Sequence, residues 1–406
     1  MLRVLLQWEE GAMIRRTLMQ RDRELIDFEV DPVTGEARIF DAAVGNWAAS
    51  LGLDREGRDQ VLTTLMVRRA LSPMRKDLDD ILAAFGAKSP VDLALMGRGL
   101  SLSDQFWYRA PGSSERWEDV NFFDNGWDQG FGAAVLLGDY VRLAACSPDA
   151  PEVTTSGHAV KAWERNDDGI YLVKAAEYPD GIELVGAKLG FDLCSLLFGE
   201  GCCVSLDVVE RYGRPCSISP LMLDGDEELA DGNRVFAMAD MWESSSLSKG
   251  GITAQACDAL VDAYAAIGVA DASAYVARRA CFSCLSLLLD FNPSNFGAIR
   301  KIDSDVWRAA PIFDYDGAFG FPLNGTSISY LCENPSLVEL FCAQRFSFLR
   351  PRWDWSWYDS RALDGFEDAI MKAYASCRSL PPVFAELIAH LFVAQRDYVN
   401  NVASGA

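Results

Sequence analysis

The sequence predicts an α+β fold of two lobes, an antiparallel-sheet lobe followed by a mainly helical lobe, with a small strand-helix module at the N-terminus. Apolar residues alternate in the manner of strands over residues 3–40 and again over 151–225. After about residue 235 they follow a mainly helical period. The 406 residues are too many for one ordinary core, because single cores stop growing near roughly 250–300 residues. We therefore expect more than one domain or lobe.

The first hundred residues are predicted to form the strand-helix module. Strands are expected in the segments VLLQW, GAMIRRTLMQ and ELIDFEVD, with a turn at Asp31–Gly35. Over 56–98 the period becomes helical, with a helix start at Ser72-Pro73 and a helix end at Gly86. Residues 101–130 are rich in Asp, Asn, Gly and aromatics without a clear period, and we expect an ordered connecting segment there.

The order of the later elements indicates how the lobes are divided. Strand patterns recur in the segments HAVKAWER, IYLVKAA, CVSLDVVERY and SISPLML, and one helical pattern, IELVGAKLGFDLCSLLF, interrupts them. The segment VFAELIAHLFVAQRDYV near the C-terminus has the apolar spacing of an amphipathic helix. Strands with one helix, followed by helices, is the order of a two-lobed kinase. We place the strand-helix module at 1–100, the sheet lobe at 101–223 and the helical lobe at 224–406.

The charge of the chain restricts its partners. The 37 Lys and Arg residues against 59 Asp and Glu residues give a net charge of −22. A surface this acidic repels nucleic-acid backbones and anionic lipid, since affinity for both depends on Lys and Arg. We therefore expect no nucleic acid as main partner and no membrane. The first apolar stretch is too short for a signal peptide and no run approaches 18 apolar residues, which predicts a cytoplasmic location.

The histidines and cysteines argue against two classes of site. Because the only histidines are His158 and His390, a His-rich metal site and most Ser-His-Asp or Cys-His hydrolase arrangements are disfavoured. The 11 cysteines are odd in number and have no repeating spacing, so we expect reduced thiols. Cys281 and Cys284 have C-x-x-C spacing, but they lie in an apolar run, and we interpret them as core residues rather than a redox or metal pair.

The strongest local signal for chemistry is the segment LDFNPSNFG, residues 289–297. An apolar run ends in Asp290, and Asn295 follows five positions later on a turn that contains Pro and Gly. Phosphoryl transfer uses this pairing, with an Asp that accepts the proton of the substrate hydroxyl and an Asn oxygen on Mg²⁺. By itself the spacing is also typical of a capping or Asx-turn arrangement.

Two further segments add to this signal. In APIFDYDG, residues 310–317, a carboxylate follows a short apolar strand and would complete a Mg²⁺ site with Asn295. Spacing does not decide between Asp314 and Asp316, and we favour Asp314. Lys174 stands at the end of the strand IYLVKA, where a kinase needs a lysine that holds nucleotide phosphates, although a lone lysine at a strand end is commonly a solvated charge.

A small-residue turn before the strand AVKAW is the candidate phosphate loop. It consists of hydroxyl residues, a glycine that permits close backbone approach to phosphate, and a histidine. Its residues are Thr154, Thr155, Ser156, Gly157 and His158.

Taken in this order, the segments resemble the HipA-like serine/threonine kinases, and among them the compact CtkA-type proteins. The resemblance covers roughly residues 1–320. The matching segments are GLSLSDQFWYR, WEDVNFFDN, SPDAPEVTTSGHAVKAW, IYLVKAA, LDFNPSNFGAIR and APIFDYDG. The N-terminal helices also resemble the family, with Arg68 or Arg69 and Arg75 where relatives carry an Arg-rich helix junction.

The resemblance implies a bilobal kinase that uses ATP and Mg²⁺. It implies Asp290 as catalytic base, Asn295 and Asp314 as metal ligands, and Lys174 as the phosphate-binding lysine. The segment SISPLML, residues 217–223, would be the hinge, with adenine meeting the backbone around Pro220, Leu221 and Met222. Because HipA-like kinases modify their own phosphate loop, the hydroxyls at 154–156 become candidates for self-phosphorylation.

The chain departs from the family pattern at three places. Phe291 and Asn292 replace an Arg and a His of the catalytic loop, and Tyr315 intervenes after the metal-binding Asp. Residues 175–185 are shorter than in relatives, which leaves the acidic partner of Lys174 open, with Glu183 preferred over Glu177.

These departures leave three functions open. The first is a phosphotransferase that acts on a Ser or Thr hydroxyl of a protein or peptide. The second is a nucleotide-binding pseudokinase that serves as a regulatory module. The third is a kinase that tailors a modified peptide or a small molecule.

Overall fold

The structure is a computed structural model that contains α-helices and antiparallel sheets, so the α+β class is confirmed. Contacts divide the chain into two compact units, of which the first ends at Ile170 and the second begins at Tyr171. The predicted domain boundaries after residues 100 and 223 stay predictions. The strand predicted in VLLQW lies outside the described residues. The structure describes residues 13–42, 58–178, 181–241, 243–244, 252–288, 290–319, 330–331, 333–381 and 383–405.

The first unit contains the predicted antiparallel sheet. Its four strands follow the order β3-β2-β1-β4, and Leu18 on β1 lies opposite Ile26 on β2 and Tyr108 on β4. The fourth strand falls within 101–130, where only a connecting segment was expected. Its residues Phe106, Trp107 and Tyr108 are all buried, so no alternation marks it as a strand. The strands are β1 (Ile14–Gln20), β2 (Arg23–Val30), β3 (Ala37–Ala42) and β4 (Phe106–Arg109).

The helices of the first unit begin and end largely at capping signals. Gly86 ends the second helix with φ +64°, as predicted. The helix start predicted at Ser72-Pro73 is wrong, because a buried ion pair between Arg75 and Asp77 (2.6 Å) occupies this turn and the helix begins at Leu78. The helices are α1 (Arg58–Arg68), α2 (Leu78–Phe85), α3 (Pro90–Met96), α4 (Trp117–Val120), α5 (Gly130–Leu137) and α6 (Tyr140–Leu143), and β5 (Lys161–Asn166) follows a 3₁₀ turn at Pro151–Thr154.

The second unit opens with strands around one long helix. β8 pairs with both β6 and β7, and Lys174 on β6 lies opposite Ser217 on β8. The helix predicted in IELVGAKLGFDLCSLLF is confirmed over its whole length. The elements are β6 (Gly169–Ala175), α7 (Ile182–Phe198), β7 (Asp207–Arg211) and β8 (Arg214–Pro220).

The rest of the second unit is mainly helical, as predicted, but it includes a small antiparallel sheet in the order β11-β10-β9. The sheet escaped prediction because β10 is buried at four successive residues and lacks an alternating pattern. The elements are β9 (Glu227–Asp231), α8 (Gly232–Met238), α9 (Ala254–Ala266), α10 (Ala272–Leu285), β10 (Gly297–Lys301), β11 (Val306–Ala309), α11 (Val338–Phe346), α12 (Phe366–Tyr374) and α13 (Val383–Ser404).

The cysteines are partly as expected. Cys281 and Cys284 lie buried on α10 within the core, which confirms the packing interpretation. The expectation of reduced thiols is wrong for Cys194 and Cys203, which form a disulfide. A 3₁₀ turn at Glu200–Cys202 folds the chain back beside the end of α7 and brings the two Cα atoms to 6.4 Å, within disulfide reach. Among the described residues, no helix has the length and apolar character needed to cross a bilayer.

Candidate active site

Lys174 and two aspartates form the centre of the candidate site in the second unit. Lys174 Nζ donates hydrogen bonds to Asp314 Oδ1 at 2.7 Å and to Asp316 Oδ2 at 3.1 Å. Burial opposes the charged form of the lysine, but the two carboxylates outweigh burial and raise the pKa of Lys174 above its usual value. The lysine is therefore held as a cation on the carboxylates, although 140 residues separate it from Asp314 in sequence.

A buried tyrosine holds the two aspartates in place. The hydroxyl of Tyr315 lies 2.8 Å from the carbonyl oxygens of both Val204 and Ile312, and its single proton is shared between these two acceptors. Asp314 itself has φ +61°, in the left-handed region that few residues other than glycine adopt. Strained backbone of this kind is stable only where its surroundings hold it, and it concentrates at functional sites. The departure at Tyr315 thus has a structural role, and the choice between Asp314 and Asp316 as metal ligand stays a prediction.

Asp290 and Asn295 form a second polar pair, on the loop that follows α10. Asn295 Nδ2 donates to Asp290 Oδ2 at 2.9 Å, and the backbone N–H of Asn292 donates to Asp290 Oδ1 at 3.0 Å. The Asx-turn arrangement is therefore present. An ionised carboxylate has about four lone-pair positions, so two acceptor positions remain on the exposed Asp290 side chain. Because Asn295 binds Asp290 through Nδ2, its amide oxygen takes no part in that hydrogen bond.

Aromatic packing anchors this loop to the core. Phe291 and Phe296 are buried with ring centroids 5.0 Å apart, and the buried guanidinium of Arg279 on α10 lies 5.7 Å from the first ring and 5.5 Å from the second. Phe291 stands where relatives carry an arginine. In this chain the cation near the loop comes from α10 instead, and Phe291 ties the backbone beside Asp290 to the core.

The predicted hinge begins on the strand next to Lys174. Ser217 on β8 lies opposite Lys174, and Pro220 lies opposite Tyr171 at the end of the pairing. Leu221 and Met222 follow directly after the strand and are half-buried. The second unit therefore brings the start of the predicted hinge beside the lysine.

Glu183, the preferred acidic partner for Lys174, makes other contacts. Its Oε1 accepts hydrogen bonds from the backbone N–H groups of Glu177 and Tyr178, in the turn that precedes α7. Among the residues that the structure describes, the partners of Lys174 are Asp314 and Asp316. Spacing could not reveal this, because 140 residues separate Lys174 from Asp314.

The candidate phosphate loop lies in the first unit and is held by its own polar groups. Thr154 Oγ1 is buried and donates to the carbonyl oxygen of Leu100 at 2.7 Å. Thr155 Oγ1 donates to the carbonyl of Pro151 (2.7 Å) and accepts from Trp163 Nε1 (2.9 Å). The remaining residues, Ser156, Gly157 and His158, are exposed, and the glycine has φ +100°. Of the three hydroxyls, that of Ser156 is therefore the one presented to solvent.

Two buried ionisable groups beside this loop were not predicted. Lys161, 7% exposed, donates from Nζ to the carbonyl oxygen of Ser156 at 2.7 Å. Glu152 accepts from the backbone N–H of Trp163 at 2.9 Å, and burial raises the pKa of its carboxyl to about 7. Charged residues are seldom buried, so nothing in the pattern separates these two from ordinary surface charges.

The side chains of the second unit fit the Mg²⁺ that the resemblance implies. Asp314, Asp316 and Asn295 supply the hard oxygen donors that this ion prefers, and the ammonium of Lys174 already lies against two of them as a cation. No group of three or more His, Cys, Asp or Glu side chains suited to a metal occurs within the described part of the chain. Asp314, Asp316 and Asn295 together suit Mg²⁺ that is bound by one or two carboxylates and by nucleotide phosphates.

Comparisons with solved structures find proteins of similar fold. The fold is similar to that of the Helicobacter pylori proinflammatory kinase CtkA, with 12% identity, a TM-score of 0.42, and coverage of 60% of this chain and 93% of that one. It is also similar to HipA of Shewanella oneidensis MR-1, solved with HipB and operator DNA, with 11% identity, a TM-score of 0.48, and coverage of 94% and 96%. No protein-family model and no curated protein matches the chain. The resemblance seen in the motifs is thus confirmed at the level of the fold, which is similar to that of these two proteins.

Proposed function

We propose that this protein is an ATP- and Mg²⁺-dependent phosphotransferase that acts on a Ser or Thr hydroxyl of a protein or peptide. The observation that carries the proposal is the ion pair of Lys174 with Asp314 and Asp316. It joins a strand-borne lysine to the segment predicted to hold the metal, within the unit that also carries Asp290 and Asn295. This constellation matches the parts that phosphoryl transfer needs.

Each side chain has a defined task in the transfer. Asp290, with two free acceptor positions, accepts the proton of the attacking hydroxyl as its oxygen bonds to the γ-phosphorus of ATP and ADP departs. Lys174 supplies positive charge to the phosphates. A chain of net charge −22 needs such charge at the site itself in order to bind an anionic nucleotide. Bound Mg²⁺, held by Asp314 and the oxygen of Asn295, would offset the charge of the phosphate oxygens.

A nucleotide-binding pseudokinase is the second candidate, and two observations favour it. Lys174 lies directly on the carboxylates that the metal would need, while Glu183 is engaged in the turn before α7. The catalytic loop also lacks the Arg and His of its relatives, at Phe291 and Asn292. A protein of this kind would bind ATP without transferring phosphate.

Single-turnover transfer from γ-labelled ATP separates the two functions. We expect labelled protein or peptide in the presence of Mg²⁺ and none with EDTA. Asp314→Ala should weaken Mg²⁺-dependent ATP binding by at least about tenfold, because it removes a hard oxygen ligand, and Asp316→Ala is the matched comparison. ATP binding without any transfer would establish the pseudokinase instead. If Asp316→Ala weakens ATP binding and Asp314→Ala does not, the metal ligand is Asp316 instead of Asp314.

A further inference from the structure

A small polar cavity lies in the second unit, and neither Lys174 nor Asp290 lines it. It has a volume of about 190 Å³ and is bounded by the start of α10, the end of β11 with the segment 309–312, and the turn at 201–202. Ordinary small-molecule pockets measure roughly 300–1,000 Å³, so this cavity suits a single chemical group rather than a nucleotide. Its polar lining comes from Asp271, Tyr275, Arg278 and Arg308.

The two arginines of the lining have hydrogen-bonding capacity to spare. Arg278 makes no ion pair in the described part of the chain, its guanidinium lies 5.8 Å from the ring of Trp357, and its Nε is buried without a hydrogen-bond partner. Arg308 uses Nη2 to bind both carboxylate oxygens of Glu227 at 3.0 Å, and its side chain is 48% exposed. A guanidinium has five N–H donors, so most of those on these two side chains remain for a ligand.

Two further polar side chains of α10, those of Tyr275 and Arg279, are engaged with other residues. The hydroxyl of Tyr275 is buried and shares a hydrogen bond with that of Tyr264. One turn further along, the buried guanidinium of Arg279 lies outside the lining, against the rings of Phe291 and Phe296. The donors available to a ligand are therefore those of Arg278 and Arg308.

Three carboxylates lie near the arginines of the cavity, and Glu227, which pairs with Arg308, is one of them. Asp271 is the one carboxylate in the lining, and it is exposed at the start of α10. Asp354 interacts electrostatically with Arg278 but binds the backbone N–H of Ser356, at 2.9 Å. The lining therefore carries two arginines and one carboxylate, in a protein whose net charge is −22.

We propose that this cavity binds a phosphoryl group, carried either by a free phosphate compound or by a phosphorylated side chain. The planar donors of Arg278 and Arg308 match the several oxygens of a tetrahedral dianion, whereas a cation or an apolar group would leave these donors unsatisfied. The proposal goes beyond the proposed phosphotransferase, because none of these residues belongs to the site around Lys174.

The test is calorimetric titration of the full chain with inorganic phosphate at constant ionic strength. We expect saturable binding that weakens at least about tenfold in Arg278→Gln and in Arg308→Gln. Arg352→Gln is the matched control, because Arg352 is an exposed arginine that binds Asp258 and lies outside the cavity. Arg308 is half exposed, so its variant should fold even if Arg278→Gln does not.

Lys174→Met separates this cavity from the nucleotide site. Phosphate binding that persists in Lys174→Met and is lost in the two cavity variants supports the proposal. Binding that is lost only in Lys174→Met, that survives both cavity variants, or that is no stronger than chloride binding overturns it. A parallel titration with a phosphoserine peptide and its unphosphorylated form identifies the source, since a phosphorylated chain should bind more tightly than inorganic phosphate alone.

Discussion

The two candidate loops, 151–158 in the first unit and 290–296 in the second, are held in opposite ways. In the first loop, polar groups do the holding, because the hydroxyls of Thr154 and Thr155 and the ammonium of Lys161 all bind backbone carbonyls. In the second loop, Phe291 and Phe296 are buried, whereas the polar side chain of Asp290 is exposed.

This difference determines whether a polar substitution changes the backbone conformation of a loop or only the reaction that the loop supports. Where polar groups hold the backbone, a change of charge or hydrogen bonding alters the stability and conformation of the loop. Where aromatic rings hold it, a polar side chain can be replaced while the backbone stays in place. We therefore expect polar substitutions in the second loop to affect turnover and those beside the first loop to affect folding.

Asp290→Asn should have the largest effect. If Asp290 accepts the proton of the acceptor hydroxyl, its loss should lower single-turnover transfer by about 10²–10⁴-fold, with nucleotide affinity and thermal midpoint little changed. Asp354→Asn is the matched control, because Asp354 is also exposed and accepts from the backbone N–H two residues on, at 2.9 Å. Transfer at the wild-type rate in Asp290→Asn would remove the assignment. A large loss of stability in Asp290→Asn would show that polar groups hold the second loop as well as the first.

Glu152→Gln should reveal the buried charge beside the first loop. The pKa of Glu152 rises from 4.5 to about 7 on folding, so its contribution to stability is present below pH 4.5 and is lost as the pH rises through about 7. The full shift corresponds to about 3 kcal/mol. Wild-type protein should therefore lose about 2–3 kcal/mol more stability between pH 5 and 8 than Glu152→Gln does.

Urea unfolding followed at several pH values measures this difference. Asp167→Asn is the control, because Asp167 is an exposed acid in the turn between β5 and β6. Its pH dependence should match that of the wild type. Parallel stability curves for wild type and Glu152→Gln would show that Glu152 ionises normally in the folded state.

The sequence was most informative where one physical signal dominates. The helical period predicts α7 over its full length, because that helix has one apolar face and ends at a glycine. It fails for β4 and β10, whose successive buried residues carry no alternation. Local spacing likewise finds the residues of the candidate site but not how they pair.

The contacts of the site depend on distant parts of the chain. Lys174 meets Asp314 across 140 residues, and the disulfide of Cys194 with Cys203 depends on how a helix end turns back. The departures at Phe291 and Tyr315 appear in sequence only as losses from the family pattern. The structure shows both as buried aromatic anchors of the polar residues beside them.

Self-phosphorylation, which rests on the proposed activity, should occur at Ser156. The threonine hydroxyls are engaged with backbone carbonyls, whereas the Ser156 side chain is exposed next to a glycine in the left-handed region. After incubation with ATP and Mg²⁺, mass spectrometry should find one phosphate on the peptide that contains residues 151–161. Ser156→Ala should abolish it, and Thr155→Val, which removes a neighbouring hydroxyl, should not.

The modified protein should bind ATP less tightly. A phosphate on Ser156 adds about −1.5 to −2 charge to a loop that the family resemblance places at the nucleotide phosphates. We expect ATP affinity to fall by about tenfold, or about 1.4 kcal/mol, which is the smallest of the effects considered. An unmodified loop peptide in protein that still phosphorylates another substrate would exclude self-regulation and leave the phosphotransferase intact. Phosphate on Thr154 would instead show that the first loop opens far enough to release a buried hydroxyl, and the contrast between the two loops would then fail.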